Sequence, residues 1–163
     1  MVVEVLQSEQ NPAEKIRSPG GKVPTLIDPT AVVSRGTVFD EGVVAKTLSR
    51  INANVFVARD TPNAFNAMIS HGARVGPCCF IGPTRVVGAT TTLGERVFVG
   101  ASAVVGTTKG IAVGEGAVIG AGSVVTKSVA AGDDSRCRLV VLTSVAGALW
   151  LPEAPDPEAR TAG

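Results

Sequence analysis

Tyrosine is absent from this 163-residue chain, aromatic residues make up 4% of it, and there is a single histidine. With 45% hydrophobic residues and so few rings, the core has to be built from Val, Ile, Leu and Ala, which implies a regular, layered interior. An excess of one charge sign is also lacking. Fifteen Lys and Arg stand against 14 Asp and Glu with no basic run, so no long-range field draws in nucleic acid or an anionic membrane surface. No apolar stretch approaches the ~20 residues of a membrane span, and MVVEVLQSEQNPAEKIRSPGGK lacks the basic start and apolar body of a secretory signal. A cytosolic protein without membrane insertion is expected. The three cysteines, Cys78, Cys79 and Cys137, are odd in number and have no metal-ligand spacing, so neither a disulfide framework nor a metal site is expected.

What the chain does have is a period of six. Steps of six from Ile27 land on Val33, Phe39, Ala45, Ile51, Val57, Asn63, Ile69, Val75, Ile81, Val87, Leu93, Val99 and Val105; after a two-residue slip come Val113, Ile119 and Val125. Fifteen of these 17 positions are large and apolar, Ala45 and Asn63 being the exceptions. Four residues later the side chain is usually small, as at Ala31, Ser49, Ala67, Cys79, Ala103 and Ser123, while Arg85 and Lys109 break the trend. One residue after the apolar position glycine recurs, as at Gly76, Gly88, Gly100 and Gly120, which suggests a sharp bend.

An amphipathic helix repeats at 3.6 residues and a strand at 2. Six residues suit a short strand plus a corner, with three such units closing one triangular coil. The expected fold is all-β: a single-stranded parallel β-helix of nearly six coils, stacked at the ordinary strand spacing of about 4.8 Å. Its expected limits are residues 25–130, preceded by an extension over 1–24 and followed by a cap and flexible tail over 131–163. The apolar run LVVLTSVAGALWL, with Trp150, is read as that cap, because a solenoid has to cover its last coil. The eight-residue unit containing Gly106, Thr107, Thr108, Lys109 and Gly110 should bulge from a corner. Asn63, inward in this register, is expected to pair with backbone or with Asn66.

Four segments carry a resemblance. INANVFVARD, ISHGARVGPCCFIGP, LGERVFVGASAVV and VGEGAVIGAGSVVTKSV are similar to consecutive coils of left-handed β-helix acyltransferases of the sialic-acid and bacillosamine acetyltransferase kind. The likeness covers roughly residues 25–130, and it alone implies the left hand. It implies a homotrimer that moves an acetyl group from acetyl-CoA to an amine or hydroxyl of a small acceptor such as a sugar or nucleotide sugar. His71 falls on the family's general base, a role that suits imidazole because its pKa lies near neutrality. Phe80, Gly100, Ala101, Gly120, Ala121 and Lys127 fall on cofactor-contacting positions, and a backbone N–H at the Gly100–Ala101 corner is a candidate oxyanion donor.

The chain also departs from the family. Ser70 and Gly72 stand where acidic residues usually flank the histidine, which leaves Asp60, nearly one coil earlier, as a substitute carboxylate. About 25 residues precede the first coil, fewer than the βαβ nucleotide-sugar-binding domain of such enzymes needs. A non-catalytic trimeric scaffold or regulatory partner is therefore the competing expectation. A γ-class carbonic anhydrase, which shares the fold, is excluded because its zinc needs three histidines and this chain has one.

Overall fold

The structure is a computed structural model and describes residues 12–17, 20–106 and 110–135. The apolar run from Leu139, Cys137, Trp150 and the tip of the eight-residue unit (107–109) lie outside the described residues. A short helix, Pro12–Arg17, precedes eighteen two-residue strands, all paired in parallel.

Strands eighteen residues apart pair in register, as Leu26 with Val44; across the irregular unit the separation is twenty, as Phe98 with Val118, and in the last coil sixteen, as Val118 with Asp134. Three sheets result. The first runs through Leu26–Ile27, Val44–Ala45, Pro62–Asn63, Phe80–Ile81, Phe98–Val99, Val118–Ile119 and Asp134–Ser135. The second runs through Val32–Val33, Arg50–Ile51, Met68–Ile69, Val86–Val87, Val104–Val105 and Val124–Val125. The third holds Val38–Phe39, Phe56–Val57, Arg74–Val75, Thr92–Leu93 and Ala112–Val113. The chain therefore climbs a three-sided prism. The strand ladder continues past residue 130 to Ser135, beyond the last apolar repeat position.

Successive side chains in a strand point to opposite faces. With two residues per strand, the second points inward and the first outward. The inward ladders Ile51–Ile69–Val87–Val105 and Val57–Val75–Leu93–Val113 are sealed from solvent. Ile27 and Val33 share this register yet are 47% and 38% exposed, because they belong to the first coil and have no described coil beneath them.

Where glycine follows an inward apolar residue at Gly76, Gly88 and Gly100, it answers to a different constraint from the expected bend. The left-handed backbone falls two residues later, at Leu48, Asn54, Asp60, Asn66, Cys78, Thr84, Thr90, Arg96 and Ser102. At Gly100 the constraint is the next coil: a Cβ there would lie 2.5 Å from the Ala121 nitrogen and 2.7 Å from the Gly120 carbonyl carbon. It is close approach of stacked backbones that excludes a side chain.

Two interior residues depart from expectation. Asn63 is fully buried, yet neither atom of its carboxamide finds a hydrogen-bond partner among the described residues. Asn66, its anticipated mate, stands exposed on the corner with φ near +53°. Arg85 occupies an inward position between Ala67 and Ala103, one coil either side, and is 1% exposed. Room for it comes from Gly82, whose missing Cβ lies where the guanidinium sits. The Arg85 Nη1 donates weakly to Phe80 O at 3.4 Å, while Nε and Nη2 have no hydrogen-bond partner among the described residues.

The N-terminal helix is held by charge. Arg17 grips Asp60 with both Nη atoms, at 2.6 and 2.9 Å, and donates its Nε to Glu41 at 2.6 Å. These carboxylates hold the guanidinium well above its usual range, the Asp60 hydrogen bonds contributing most.

Candidate functional site

His71 stands on the corner between the second sheet's Met68–Ile69 and the third sheet's Arg74–Val75. The turn forms because Gly72 adopts φ +67°, which glycine reaches without a Cβ clash. Its backbone is pinned from both sides, with Gly72 N–H donating to Ala53 O at 3.0 Å and Thr90 N–H donating to His71 O at 3.0 Å. By register Ala53 and Ala89 occupy the same corner one coil below and one above, so small neighbours flank the exposed imidazole. No side chain among the described residues hydrogen-bonds the ring. Asp60 does not substitute for the missing acidic neighbours: it lies on the corner between the third and first sheets, where Arg17 engages both of its oxygens.

The other anticipated positions fall in two more places. Gly100–Ala101 and Gly120–Ala121 stack on the corner between the first and second sheets, with Gly122 N–H donating to Ala101 O at 2.8 Å. The Gly100 N–H is spent on Ile119 O at 2.7 Å, so it is not an available oxyanion donor. Ala101 and Ala121 N–H make no backbone hydrogen bond among the described residues, and they take over that candidacy. Phe80 lies on the outer side of the first sheet, its ring stacked on Phe98 with centroids 5.2 Å apart and planes within 6°. The Arg85 guanidinium carbon lies 5.8 Å from the same ring centroid, within cation–π range. Lys127 is exposed and shares the His71 corner, three coils further along and so about 14 Å up the axis at ordinary strand spacing.

Within one chain, then, His71 and Lys127 share a column, Gly100, Ala101, Gly120 and Ala121 share another, and Phe80 decorates the first sheet. The second sheet separates the two columns. Gly106 and Gly110 follow Val104–Val105 and lie on the His71 corner, with Gly110 packed against Thr90.

Sequence reasoning missed a groove of about 290 Å³ on the outer side of the second sheet, lined by Leu48, Arg50, Asn66, Met68, Thr84 and Arg85, with Ala67 and Val86. Six-residue periodicity could not show that corner and strand residues of three successive coils enclose a hollow. Another groove, of about 360 Å³, lies at the first coils and is lined by Leu26, Val44, Lys46 and Phe65 among others, on the side of the prism away from His71. Among the described residues no group of three His, Cys, Asp or Glu side chains is placed to hold a metal, and no helix is long and apolar enough to cross a membrane. Cys79 is an interior thiol that donates to Gly94 O at 2.9 Å, and burial pushes its pKa up to about 12.

The architecture defines a class, and comparison narrows it. Residues 90–127 match the hexapeptide repeat of succinyl-transferase. PerB from Caulobacter crescentus, solved with CoA and GDP-perosamine, superimposes with a TM-score of 0.69 at 30% identity, over 72% of this chain and 56% of PerB. A histidine-to-alanine mutant of the GDP-perosamine N-acetyltransferase from the same organism, also with CoA and GDP-perosamine, gives 0.70 at 29% identity, over 73% and 56%. The acetyltransferase domain of PglB from Neisseria gonorrhoeae gives 0.67 at 22% identity, over 79% of this chain and 71% of that domain, a likeness of fold. No curated protein matches at the level of sequence. The chain thus has a hexapeptide-repeat left-handed β-helix like that of these acetyltransferases, as its motifs implied, and it spans about half the length of the two C. crescentus chains.

Proposed function

We propose that this protein transfers an acetyl group from acetyl-CoA to an amine or hydroxyl of a small acceptor, a sugar or nucleotide sugar, with His71 as general base. The observation that carries the reading is the presentation of the chain's sole imidazole, exposed on a backbone-pinned corner of a β-helix like that of CoA-bound sugar N-acetyltransferases. In the reaction the acceptor's lone pair attacks the thioester carbonyl, His71 removes the acceptor proton, and the tetrahedral intermediate collapses with departure of the CoA thiolate, which is then protonated. The Ala101 N–H is the donor aimed at the developing oxyanion, and Phe80, Gly100, Gly120, Ala121 and Lys127 line the path of the cofactor. Because the second sheet separates His71 from the Gly100 column in one chain, the complete site requires two chains, and a homotrimer with grooves between prisms meets that need. The cytosolic setting expected from the N-terminus belongs to this proposal, as does the division into extension, β-helix and C-terminal cap.

His71→Ala should lower kcat for acetyl transfer to an amino sugar by about 10² to 10⁴, the usual contribution of a positioned proton acceptor. Equal rates in wild type and variant would remove His71 from the mechanism. A second reading, a non-catalytic trimeric scaffold, draws on the absence of a described carboxylate partner for the imidazole. Calorimetry with CoA separates the two, since the enzyme must bind CoA and a scaffold need not.

A further inference from the structure

The near balance of charge over the whole chain conceals a segregation around the prism. The corner between the second and third sheets carries Arg35, His71 and Lys127 and, among the described residues, no carboxylate. The corner between the third and first sheets carries Asp40, Glu41, Asp60, Glu95, Glu115 and Asp133, against Arg59 and Arg96 as its own cations. Within one chain the third sheet holds these corners apart, so among the described residues no acid of the same copy comes to the imidazole. Between copies the two corners are complementary, and opposite charge of this kind sets orientation and register at an interface.

The acidic corner also borders the surface that a second chain offers. Glu95 lies three residues before Phe98 and Gly100 two residues after it, so the first sheet, with its stacked Phe80 and Phe98 rings, runs between the acidic corner and the Gly100 column. A neighbour that turns this sheet toward His71 brings both borders with it. Axial level then selects one carboxylate. Asp60 stands nearest His71 in level, but Arg17 engages both of its oxygens. Glu95 comes next, about one and one-third coils beyond His71, or about 6 Å along the axis at ordinary strand spacing. It spends Oε1 on Arg96 at 3.0 Å, its Oε2 accepts no hydrogen bond among the described residues, and its side chain is 41% exposed. Glu115 stands a full coil farther from His71.

We propose that in the assembled protein Glu95 of one copy lies against His71 of the next and orients its imidazole, as a positioning residue in place of the acidic neighbours that Ser70 and Gly72 replace. The role rests on the acetyl-transfer reading, whereas the juxtaposition does not. A carboxylate that accepts from one ring nitrogen leaves the other free to take the acceptor's proton, and it stabilises the imidazolium that results.

The test combines two variants, each defective alone. His71→Ala keeps Glu95 and Glu95→Gln keeps His71, so a ring built from both chains contains interfaces at which the two groups are wild type. Glu95→Gln alone should lower kcat for acetyl transfer to an amino sugar by about 10- to 100-fold, as loss of a carboxylate partner does at other functional imidazoles. Coexpression of the two chains in equal amounts makes about a quarter of the interfaces of a closed ring intact, so the mixture should recover about a quarter of wild-type kcat. Activity no higher than that of the separate variants would overturn the proposal. So would an equal loss in Glu115→Gln, which also deprives Arg96 of a carboxylate but acts farther from His71. NMR of the sole imidazole gives a reading that needs no turnover: with histidine labelled only in the Glu95→Gln chain, the wild-type ring signal should reappear once His71→Ala chains are mixed in. Its reappearance in a protein that transfers no acetyl group would uphold the juxtaposition and overturn the catalytic reading, and an unchanged signal would overturn the juxtaposition itself.

Discussion

Replacing Arg85 with methionine should make this protein more stable. The guanidinium is sealed inside the prism; among the described residues two of its nitrogens have no hydrogen-bond partner, and its one hydrogen bond, to Phe80 O, is long at 3.4 Å. Desolvation lowers the pKa of this guanidinium from its ordinary value to about 9. With about 1.4 kcal/mol per pH unit, keeping the group protonated at neutral pH costs at most about 5 kcal/mol. The nearby groove and the Phe80 ring soften that figure, so about 2–3 kcal/mol is the working magnitude. The sign follows from proton binding. Above about pH 9 the folded arginine releases its proton while the unfolded one keeps it, so the penalty is fully present below pH 9 and fades as pH rises above it. Methionine keeps most of the side-chain volume, drops the charge and leaves no unpaired donor, and replacing a buried charge in this way is commonly stabilising by about 1–4 kcal/mol. Urea unfolding at pH 7 should therefore give Arg85→Met a higher midpoint with unchanged slope, and the gap from wild type should narrow above pH 9. A variant less stable than wild type by 1 kcal/mol or more would refute the reasoning and mean that the guanidinium contributes more through packing and ring contact than its desolvation removes.

Two further perturbations probe the scaffold. Gly100→Ala should cost about 1–3 kcal/mol, read as a lower melting temperature, because its Cβ would meet backbone atoms of the next coil within 2.9 Å; an unchanged melting temperature would mean that the next coil gives way to the added methyl group. Asp28 is held below the ordinary carboxylate range, chiefly by the Thr30 hydroxyl, then by the Thr30 N–H and the Thr47 hydroxyl. Its contribution is thus present above the unfolded pKa and lost as pH falls through the folded one. Thr30→Val should move the Asp28 titration upward by NMR, and no movement would show that the Thr47 contact suffices.

Much of the fold was legible in the chain because a β-helix is quasi-one-dimensional: each repeat touches only its neighbours, so local periodicity and global architecture coincide. The inward identity of Ile51, Ile69, Val87 and Val99 follows from a step of six and the alternation of side chains within a strand. The corner position of His71 follows from the same count. Reading failed where an interaction crosses coils. Nothing in the spacing tells that Gly82 makes room for Arg85, or that glycine at Gly100 answers to the coil above rather than to a bend in its own. Asp60 looked close to His71 by sequence, yet eleven residues along a prism of six-residue sides carry the chain to a different corner and into the grip of Arg17.

By itself the sequence determined the repeat, the three-sided cross-section, the layered aliphatic core and the exposure of one histidine, because each depends on residues six apart or fewer. Tertiary structure alone decided which corners stack into columns, that the Gly100 N–H is consumed by Ile119, and that Arg50, Asn66 and Thr84 enclose one hollow beside Met68. Those relations connect residues eighteen or more apart through coil-to-coil pairing, and their chemistry depends on side-chain direction and desolvation, which hydrophobic periodicity does not record.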